Sequence, residues 1–136
     1  MTTPPVTTEL EAHHLMTRKF LVVAPEDTLG EVAEKLAAAN GGSALVCEYG
    51  HLTGILTSRD ILRAIAERAH PSEARVREWM TPEPVTAAPD TPADEAARLM
   101  VAGGFHHLPI TEELRPVGVL GLRLAIGALR PGWPGF

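Results

Sequence analysis

The sequence predicts an α+β fold made of two copies of one unit, each in the order strand, helix, strand, strand, helix. Residues 16–66 align with residues 80–130 without a gap, and matching positions carry identical residues such as Gly54 and Gly118. Within each copy, apolar residues at helical spacing precede two strand-like runs separated by a loop of hairpin length. Because a unit of about 50–60 residues buries little surface by itself, we expect the two copies to share one core.

The first copy begins with a short predicted strand at residues 20–23. Thr28 then opens a helix, because Glu31 follows it at the spacing of a capping box. The core-facing side of this helix is expected to carry Leu29, Val32, Ala33 and Leu36. An Asn-Gly-Gly sequence at residues 40–42 ends the helix.

Two strands and a second helix complete the first copy. The strands are predicted at residues 43–47 and 52–56, joined by a glycine-containing loop at 48–51. The helix is predicted from about residue 58 to 69, because Pro71 prevents it from continuing. Its buried side chains are expected to be Ile61, Leu62 and Ile65.

The second copy repeats this order. A short strand is predicted at residues 85–87, and Thr91 is expected to cap a helix whose first residue is Pro92. The buried stripe of that helix is predicted to be Ala93, Ala96, Ala97 and Met100. The remaining elements, two strands and a helix, are expected at residues 107–111, 117–120 and 123–129.

Charge and composition narrow the class of protein. The formal net charge of −5 at pH 7 argues against a nucleic-acid or membrane partner, since both present phosphates that basic surfaces neutralise. No apolar run approaches the roughly 20 residues that span a bilayer, and the first ten residues lack the features of a signal peptide. Cys47 is the one cysteine, which excludes an internal disulfide and suits a reducing compartment. We therefore expect a cytoplasmic protein, with Cys47 as a small buried apolar side chain.

Three stretches of the chain resemble the cystathionine-β-synthase (CBS) domain family. Residues 54–61 (GILTSRDI) are similar to the family signature G-h-x-[ST]-x-x-D, in which h is apolar. Residues 76–81 (VREWMT) followed by Val85, and residues 106–110 (HHLPI), resemble the second half of a tandem CBS pair. The resemblance covers about residues 10–130 and agrees with the internal repeat.

The resemblance implies a regulatory binding module rather than an enzyme. In this family two repeats pack around a pseudo-two-fold axis and leave two clefts, which commonly bind AMP, ADP, ATP or S-adenosylmethionine. Two such modules often associate, so a homodimer is expected, and an unidentified effector protein would receive the signal. The expected boundaries are 10–69 for the first repeat, 70–79 for a linker, 80–130 for the second repeat and 131–136 for a tail.

The residue types of the first cleft suit a nucleotide. Thr57 ends a strand and precedes a helix, whose N-terminal N–H groups and dipole favour a phosphate. Arg59 would neutralise phosphate charge, and the carboxylate of Asp60 would accept from ribose hydroxyls. The resemblance assigns to the same site Ser58, Thr81, Val85, Thr86, Phe105, His106, His107 and Pro109.

Thr57 and Asp60 also have a purely structural interpretation. Their spacing is that of a capping box with Asp in the position of Glu. Such a cap is worth about 1 kcal/mol of stability and needs no ligand. The two roles are compatible, and the spacing alone leaves both open.

The second cleft differs from the first at two positions. Gly121 stands where the first copy has Thr57, and Leu124 where it has Asp60. Losing a charged acceptor forfeits about 1.5–3 kcal/mol, so we expect one nucleotide per chain and a second cleft that is empty or takes another ligand. The resemblance assigns to its walls Thr17, Leu21, Val22, Gly42, Ser43, Leu45 and Arg123.

Other functions find less support in the sequence. Adjacent strand residues point to opposite faces, so His106 and His107 are not expected to share a metal ion, and no cysteine ligand accompanies them or the pair at 13–14. No nucleophile stands in a catalytic setting. The alternative hypothesis is a degenerate CBS pair that acts only as a protein-interaction scaffold, with Trp133 and Phe136 of the tail available to a partner.

Overall fold

The computed structural model describes residues 10–129, which divide between two compact units. One unit is Phe20–Pro84, and the other combines the chain up to Lys19 with the chain from Val85 onward. The predicted tail, with Trp133 and Phe136, lies outside the described residues.

The described elements follow the predicted mixture of helices and strands, and the α+β class is confirmed. In chain order they are α1 (Ala12–Leu15), β1 (Leu21–Val23), α2 (Leu29–Ala39), β2 (Ser43–Glu48), β3 (His51–Thr57), α3 (Ser58–Ala66), α4 (Val76–Trp79), β4 (Thr81–Pro82), α5 (Ala93–Gly103), β5 (His107–Glu112), β6 (Arg115–Gly121) and α6 (Leu122–Gly127).

The unit Phe20–Pro84 is built on a four-stranded sheet in the order β1-β2-β3-β4. β1 runs parallel to β2, whereas β2 with β3 and β3 with β4 are antiparallel. A two-residue turn joins β2 to β3, where Tyr49 and Gly50 both have positive φ, as tight hairpins require. The predicted loop at 48–51 is therefore shorter than expected.

The other unit is built on the hairpin of β5 and β6. This hairpin has a register shift between Ile110 and Thr111, at the place where the first has one between Val46 and Cys47. The two copies thus match in structural detail as well as in sequence.

Each compact unit also contains the short segment that begins the other copy. Thr81 of β4, at the start of the second copy, pairs with Ile55 in the first hairpin. Thr17, at the start of the first copy, exchanges two hydrogen bonds of 2.9 and 3.0 Å with Val119 in the second hairpin. Units and sequence copies therefore do not coincide.

Most buried apolar residues of the described chain belong to two clusters, one in each unit, and four more are buried outside both: Leu45, Ile55, Ala93 and Val119. The expectation of one shared core stays a prediction. In Phe20–Pro84 the cluster includes Leu29, Val32 and Leu36 of α2, as predicted from their spacing, while Ala33 is only partly buried. In the other unit all four predicted residues of α5 are fully buried: Ala93, Ala96, Ala97 and Met100.

The ends of the α2 helix are also as predicted. The Thr28 hydroxyl accepts from the Glu31 N–H at 3.1 Å, and Glu31 Oε1 accepts from the Thr28 N–H at 3.0 Å. These hydrogen bonds lower the pKa of Glu31. Asn40 ends the helix in the left-handed conformation.

Two predictions about the start of the second copy are wrong. Residues 85–87 form no strand, because only Ala87 pairs, through a single parallel bridge to Ile110, before the chain turns. Thr91 does not cap α5 either. Its hydroxyl accepts from the Ala88 N–H at 3.0 Å and closes that turn, and Pro92 takes the capping position.

The helices that end each copy also differ from prediction. α3 stops at Ala66, and α6 starts at Leu122 and stops at Gly127. Ile61 is buried as expected, but Leu62 and Ile65 are 67% and 51% exposed. Ala64 is buried instead.

Candidate functional site

The candidate site begins where β3 passes directly into α3. Thr57 is the N-cap residue of α3, and its hydroxyl accepts from the Asp60 N–H at 3.3 Å. In return, Asp60 Oδ2 accepts from the Thr57 N–H at 2.8 Å and from the Thr57 hydroxyl at 3.1 Å. The predicted capping box is confirmed, so both side chains have a structural role that needs no ligand.

The Asp60 carboxylate is largely engaged within its own unit. Oδ1 accepts from the Arg63 guanidinium at 3.2 Å, and the Asp60 side chain is only 16% exposed. A carboxylate has about four acceptor positions, and hydrogen bonds within the described residues fill three of them. One position on Oδ1 remains, whereas the two hydroxyls of a ribose would need two.

The N-terminus of α3 offers a cationic side chain beside this carboxylate. The Ser58 N–H donates to the carbonyl of Gly42 at 3.1 Å. Arg59 is exposed, and no hydrogen bond or ion pair engages its side chain within residues 10–129. Thr81, on β4, is exposed and belongs to the same unit as Arg59. The arrangement can attract an anion to the start of α3.

The remaining residues of the predicted first site belong to the other unit. Val85 is 49% exposed and Thr86 is exposed, whereas the side chain of Pro109 is fully buried. Phe105 is partly buried against the core of that unit. The residues of the predicted first site that lie in this other unit are Val85, Thr86, Phe105, His106, His107 and Pro109.

The two adjacent histidines differ in environment. His106 is exposed, and its carbonyl accepts from the N–H of Leu122 at 2.8 Å, which ties the start of β5 to the start of α6. His107 is partly buried as the first residue of β5. Burial lowers the pKa of His107, and the neighbouring His106 lowers it further.

The residues of the second predicted site also divide between the units. Thr17, Gly121, Arg123 and Leu124 lie in one unit, while Leu21, Val22, Gly42, Ser43 and Leu45 lie in Phe20–Pro84. Gly121 caps α6 without a side-chain hydrogen bond, and Leu124 is 56% exposed. Leu45 is fully buried but lies outside the apolar cluster of its own unit. A shallow apolar depression is lined by Gly121, Arg123, Leu124, Gly127 and Ala128.

Sequence reasoning missed Arg63. Besides its ion pair with Asp60, its guanidinium lies 5.4 Å from the ring centroid of Trp79 and donates to the Trp79 carbonyl at 3.5 Å. The spacing of Asp60 and Arg63 is that of an ion pair on one helix face. No local pattern indicated the contact with Trp79, sixteen residues further along the chain.

His13 and His14, which could bind a metal, form hydrogen bonds within their own segment, and the thiol of Cys47 is partly buried. His13 Nε2 lies 2.9 Å from Glu11 Oε1, and His14 Nδ1 accepts from the Glu11 N–H at 2.9 Å. Cys47 is partly rather than fully buried, and burial raises the pKa of its thiol, which disfavours the reactive thiolate. Within residues 10–129 no group of three or more His, Cys, Asp or Glu side chains is placed to hold a metal ion.

No helix in the described part of the chain is long and apolar enough to cross a membrane.

Comparison with known proteins connects these features to a family. The family model of the CBS domain matches residues 8–67 and, again, 76–130. A CBS domain-containing protein of Arabidopsis thaliana, CBSCBSPB1, is 43% identical over 96 residues, which are 70% of this chain. The chain spans only 18% of the length of that relative.

Two solved structures with bound nucleotides are similar in fold. The CBS domain protein PAE2072 from Pyrobaculum aerophilum, complexed with AMP, has a TM-score of 0.78 at 25% identity, covering 84% of this chain and 88% of its own. The cytosolic domain of the Mg²⁺ channel MgtE in complex with ATP has a TM-score of 0.75 at 34% identity, covering 88% of this chain and 48% of its own. The internal repeat, the matching hairpins and the two family matches together show that the chain belongs to the CBS domain family, as a pair of CBS repeats.

Proposed function

We propose that this chain is a regulatory module that binds one adenosine nucleotide, in a site centred on Thr57, Arg59 and Asp60. The observation that carries the proposal is the difference between the two copies. The first copy has a hydroxyl and a carboxylate at the start of α3, while the second has Gly121 and Leu124 at the start of α6. An exposed arginine, Arg59 or Arg123, is common to both copies, so the hydroxyl and the carboxylate make the difference. Similar proteins with bound AMP and ATP support this ligand class.

Each residue has a distinct chemical role in this proposal. The exposed Arg59 attracts the phosphate to the positive end of α3. Asp60 accepts from the ribose, since an ionised carboxylate only accepts hydrogen bonds. Thr81, in the same unit as Asp60, contacts the base. The other residues that the family resemblance assigns to the base belong to the other unit: Val85, Thr86, Phe105, His106, His107 and Pro109. The module carries no chemistry of its own and acts through an effector protein.

Thermal unfolding in the presence of AMP, ADP, ATP and S-adenosylmethionine tests the proposal. A ligand at about 100 times its dissociation constant adds about 2.7 kcal/mol, which raises the midpoint by several degrees in a protein of this size. We expect one of these compounds to raise the midpoint of the unchanged chain, and Asp60→Asn to abolish that shift.

Glu31→Gln is the matched control. Glu31 occupies in α2 the capping-box position that Asp60 occupies in α3, so both substitutions weaken one cap. Only Asp60 has a proposed ligand role. Equal ligand-induced shifts in both variants would reduce Asp60 to a helix cap and contradict the proposal.

The exposed apolar side chains of α3 favour a second candidate, a scaffold that acts through protein contacts alone. Leu62 and Ile65 lie on one side of α3 and are 67% and 51% exposed. A second copy of the chain that covered them would give the expected homodimer. Sedimentation equilibrium of the unchanged chain and of the Leu62→Lys variant measures whether such a dimer forms. A dimer that the substitution dissociates, combined with no thermal shift by any nucleotide, favours the scaffold.

A further inference from the structure

Arg63 joins the candidate nucleotide site to the segment that follows it. Its guanidinium contacts the Asp60 carboxylate at 3.2 Å, lies over the Trp79 ring at 5.4 Å and reaches the Trp79 carbonyl at 3.5 Å. Trp79 is the last residue of α4, and Thr81 of the proposed site begins β4 two positions later. One side chain thus bridges α3 and α4 at the carboxylate proposed to bind ribose.

The hydrogen bonds of Asp60 make Arg63 a competitor of the ribose. Thr57 occupies Oδ2 with two donors, and Arg63 occupies one position of Oδ1. A ligand with one hydroxyl can take the position that remains, but a ribose that donates both hydroxyls must displace a donor. The two Thr57 bonds form the helix cap, whereas the Arg63 side chain is 55% exposed and its ion pair at i,i+3 spacing is of the weaker kind. Arg63 is therefore the donor that gives way.

The other unit lacks all three members of this group. Its residues equivalent to Asp60, Arg63 and Trp79 are Leu124, Gly127 and Leu15. Leu124 and Gly127 line the apolar depression of α6, and Leu15 packs against the core of its unit. At these positions the arginine and the tryptophan thus occur only in the unit that has the carboxylate.

We propose that Arg63 is a positioning residue that holds the Asp60 carboxylate, and that a bound ribose displaces Arg63 and thereby changes the environment of Trp79. The inference rests on the proposed function, because it requires a nucleotide at Asp60. It adds to that function a route by which occupancy reaches α4 and β4.

The fluorescence of Trp79 reports this displacement. All chains carry Trp133→Phe, since the sequence has two tryptophans, and AMP and ATP are titrated while calorimetry measures binding independently. We expect a saturable change in Trp79 emission, because a guanidinium leaves the ring face. The 2′-deoxy forms of both nucleotides carry a single ribose hydroxyl and should give a smaller change at saturation.

Arg63→Met is the decisive variant, and Arg98→Met is its control. Arg98 pairs with Asp94 in α5 of the other unit, and its side chain is as exposed as that of Arg63, at 55%. With Arg63→Met we expect AMP and ATP to bind about twofold more tightly, since no ion pair has to break, and the emission change to be lost. Arg98→Met should leave both unchanged.

The two measurements separate the possible failures. Calorimetric binding without an emission change, or an emission change that persists in Arg63→Met, overturns the role of Arg63 and leaves the proposed function standing. Absence of calorimetric binding of AMP and ATP to the unchanged chain overturns this inference. The proposed function falls with it only if ADP and S-adenosylmethionine also fail to bind.

Discussion

Met80 occupies the space that a side chain on Gly54 would fill. A Cβ built on Gly54 would lie 2.5 Å from Met80 Sδ and 3.1 Å from the carbonyl oxygen of Thr81. In the other unit Met16 stands in the same relation to Gly118. The glycine of the G-h-x-[ST]-x-x-D signature therefore allows the close approach of a neighbouring segment to β3.

Gly54→Ala should destabilise the protein. The new methyl group must push away both the Met80 side chain and the Thr81 backbone, and overpacking of this kind costs about 1–3 kcal/mol. Chemical denaturation measures the loss. Gly127→Ala is the control, because a Cβ there meets nothing within 4 Å and Ala is favoured over Gly in a helix. Equal effects at the two positions would refute this account of Gly54.

Thr28→Ala should lower the free energy of unfolding by about 1 kcal/mol, the usual cost of losing an N-cap side chain. The Thr28 hydroxyl accepts from the Glu31 N–H at 3.1 Å, and this bond disappears in the variant. Thr28→Ser keeps the hydroxyl and should behave nearly as the unchanged chain does in the same urea titration. A serine variant as unstable as the alanine variant would show that the methyl group, not the cap, matters.

Local patterns predicted the parts of the fold that local forces determine. The period of Ala93, Ala96, Ala97 and Met100 placed all four in the core, and the spacing of Thr57 and Asp60 gave their reciprocal hydrogen bonds. Both features depend on residues within one or two helical turns of each other. The internal repeat then extended these predictions from one copy to the other.

Local sequence patterns could not predict contacts between segments that are distant along the chain. Leu62 and Ile65 are as apolar as Ile61, and only the course of the neighbouring segments decides which of them is covered. The contact of Arg63 with Trp79 depends in the same way on where α4 returns to α3. For this reason the sequence indicated the acceptor of the candidate site but not the arginine that shares it.

Stability should decrease as the pH falls from about 7 to 5, partly through His107. Burial lowers the pKa of His107 in the folded state, so the unfolded chain, with an ordinary pKa of about 6.5, takes up the proton first. The stabilisation is complete above that value and is lost as the pH falls through it toward the lowered pKa. His107→Gln should reduce the slope of unfolding free energy against pH.

The control for this slope is His51→Gln, because His51 is exposed on β3 whereas His107 is partly buried. Urea unfolding at several pH values provides the comparison. A slope that His51→Gln reduces as much as His107→Gln does would contradict the assignment to His107.

The unchanged chain should bind one nucleotide, and restoring the missing side chains should create a second site. Gly121 has φ −86 and ψ 142, and a Cβ there meets nothing within 4 Å, so the backbone accepts a β-carbon at this position without strain. Gly121→Thr with Leu124→Asp supplies the hydroxyl and the carboxylate whose absence costs about 10- to 100-fold in affinity. Calorimetric stoichiometry with AMP and ATP should rise from one to two. The Gly121→Thr variant restores the cap of α6 without the carboxylate acceptor, and it should still bind one nucleotide per chain. Two equal sites in the unchanged chain, or one site in the double variant, would show that these two positions do not decide which copy binds.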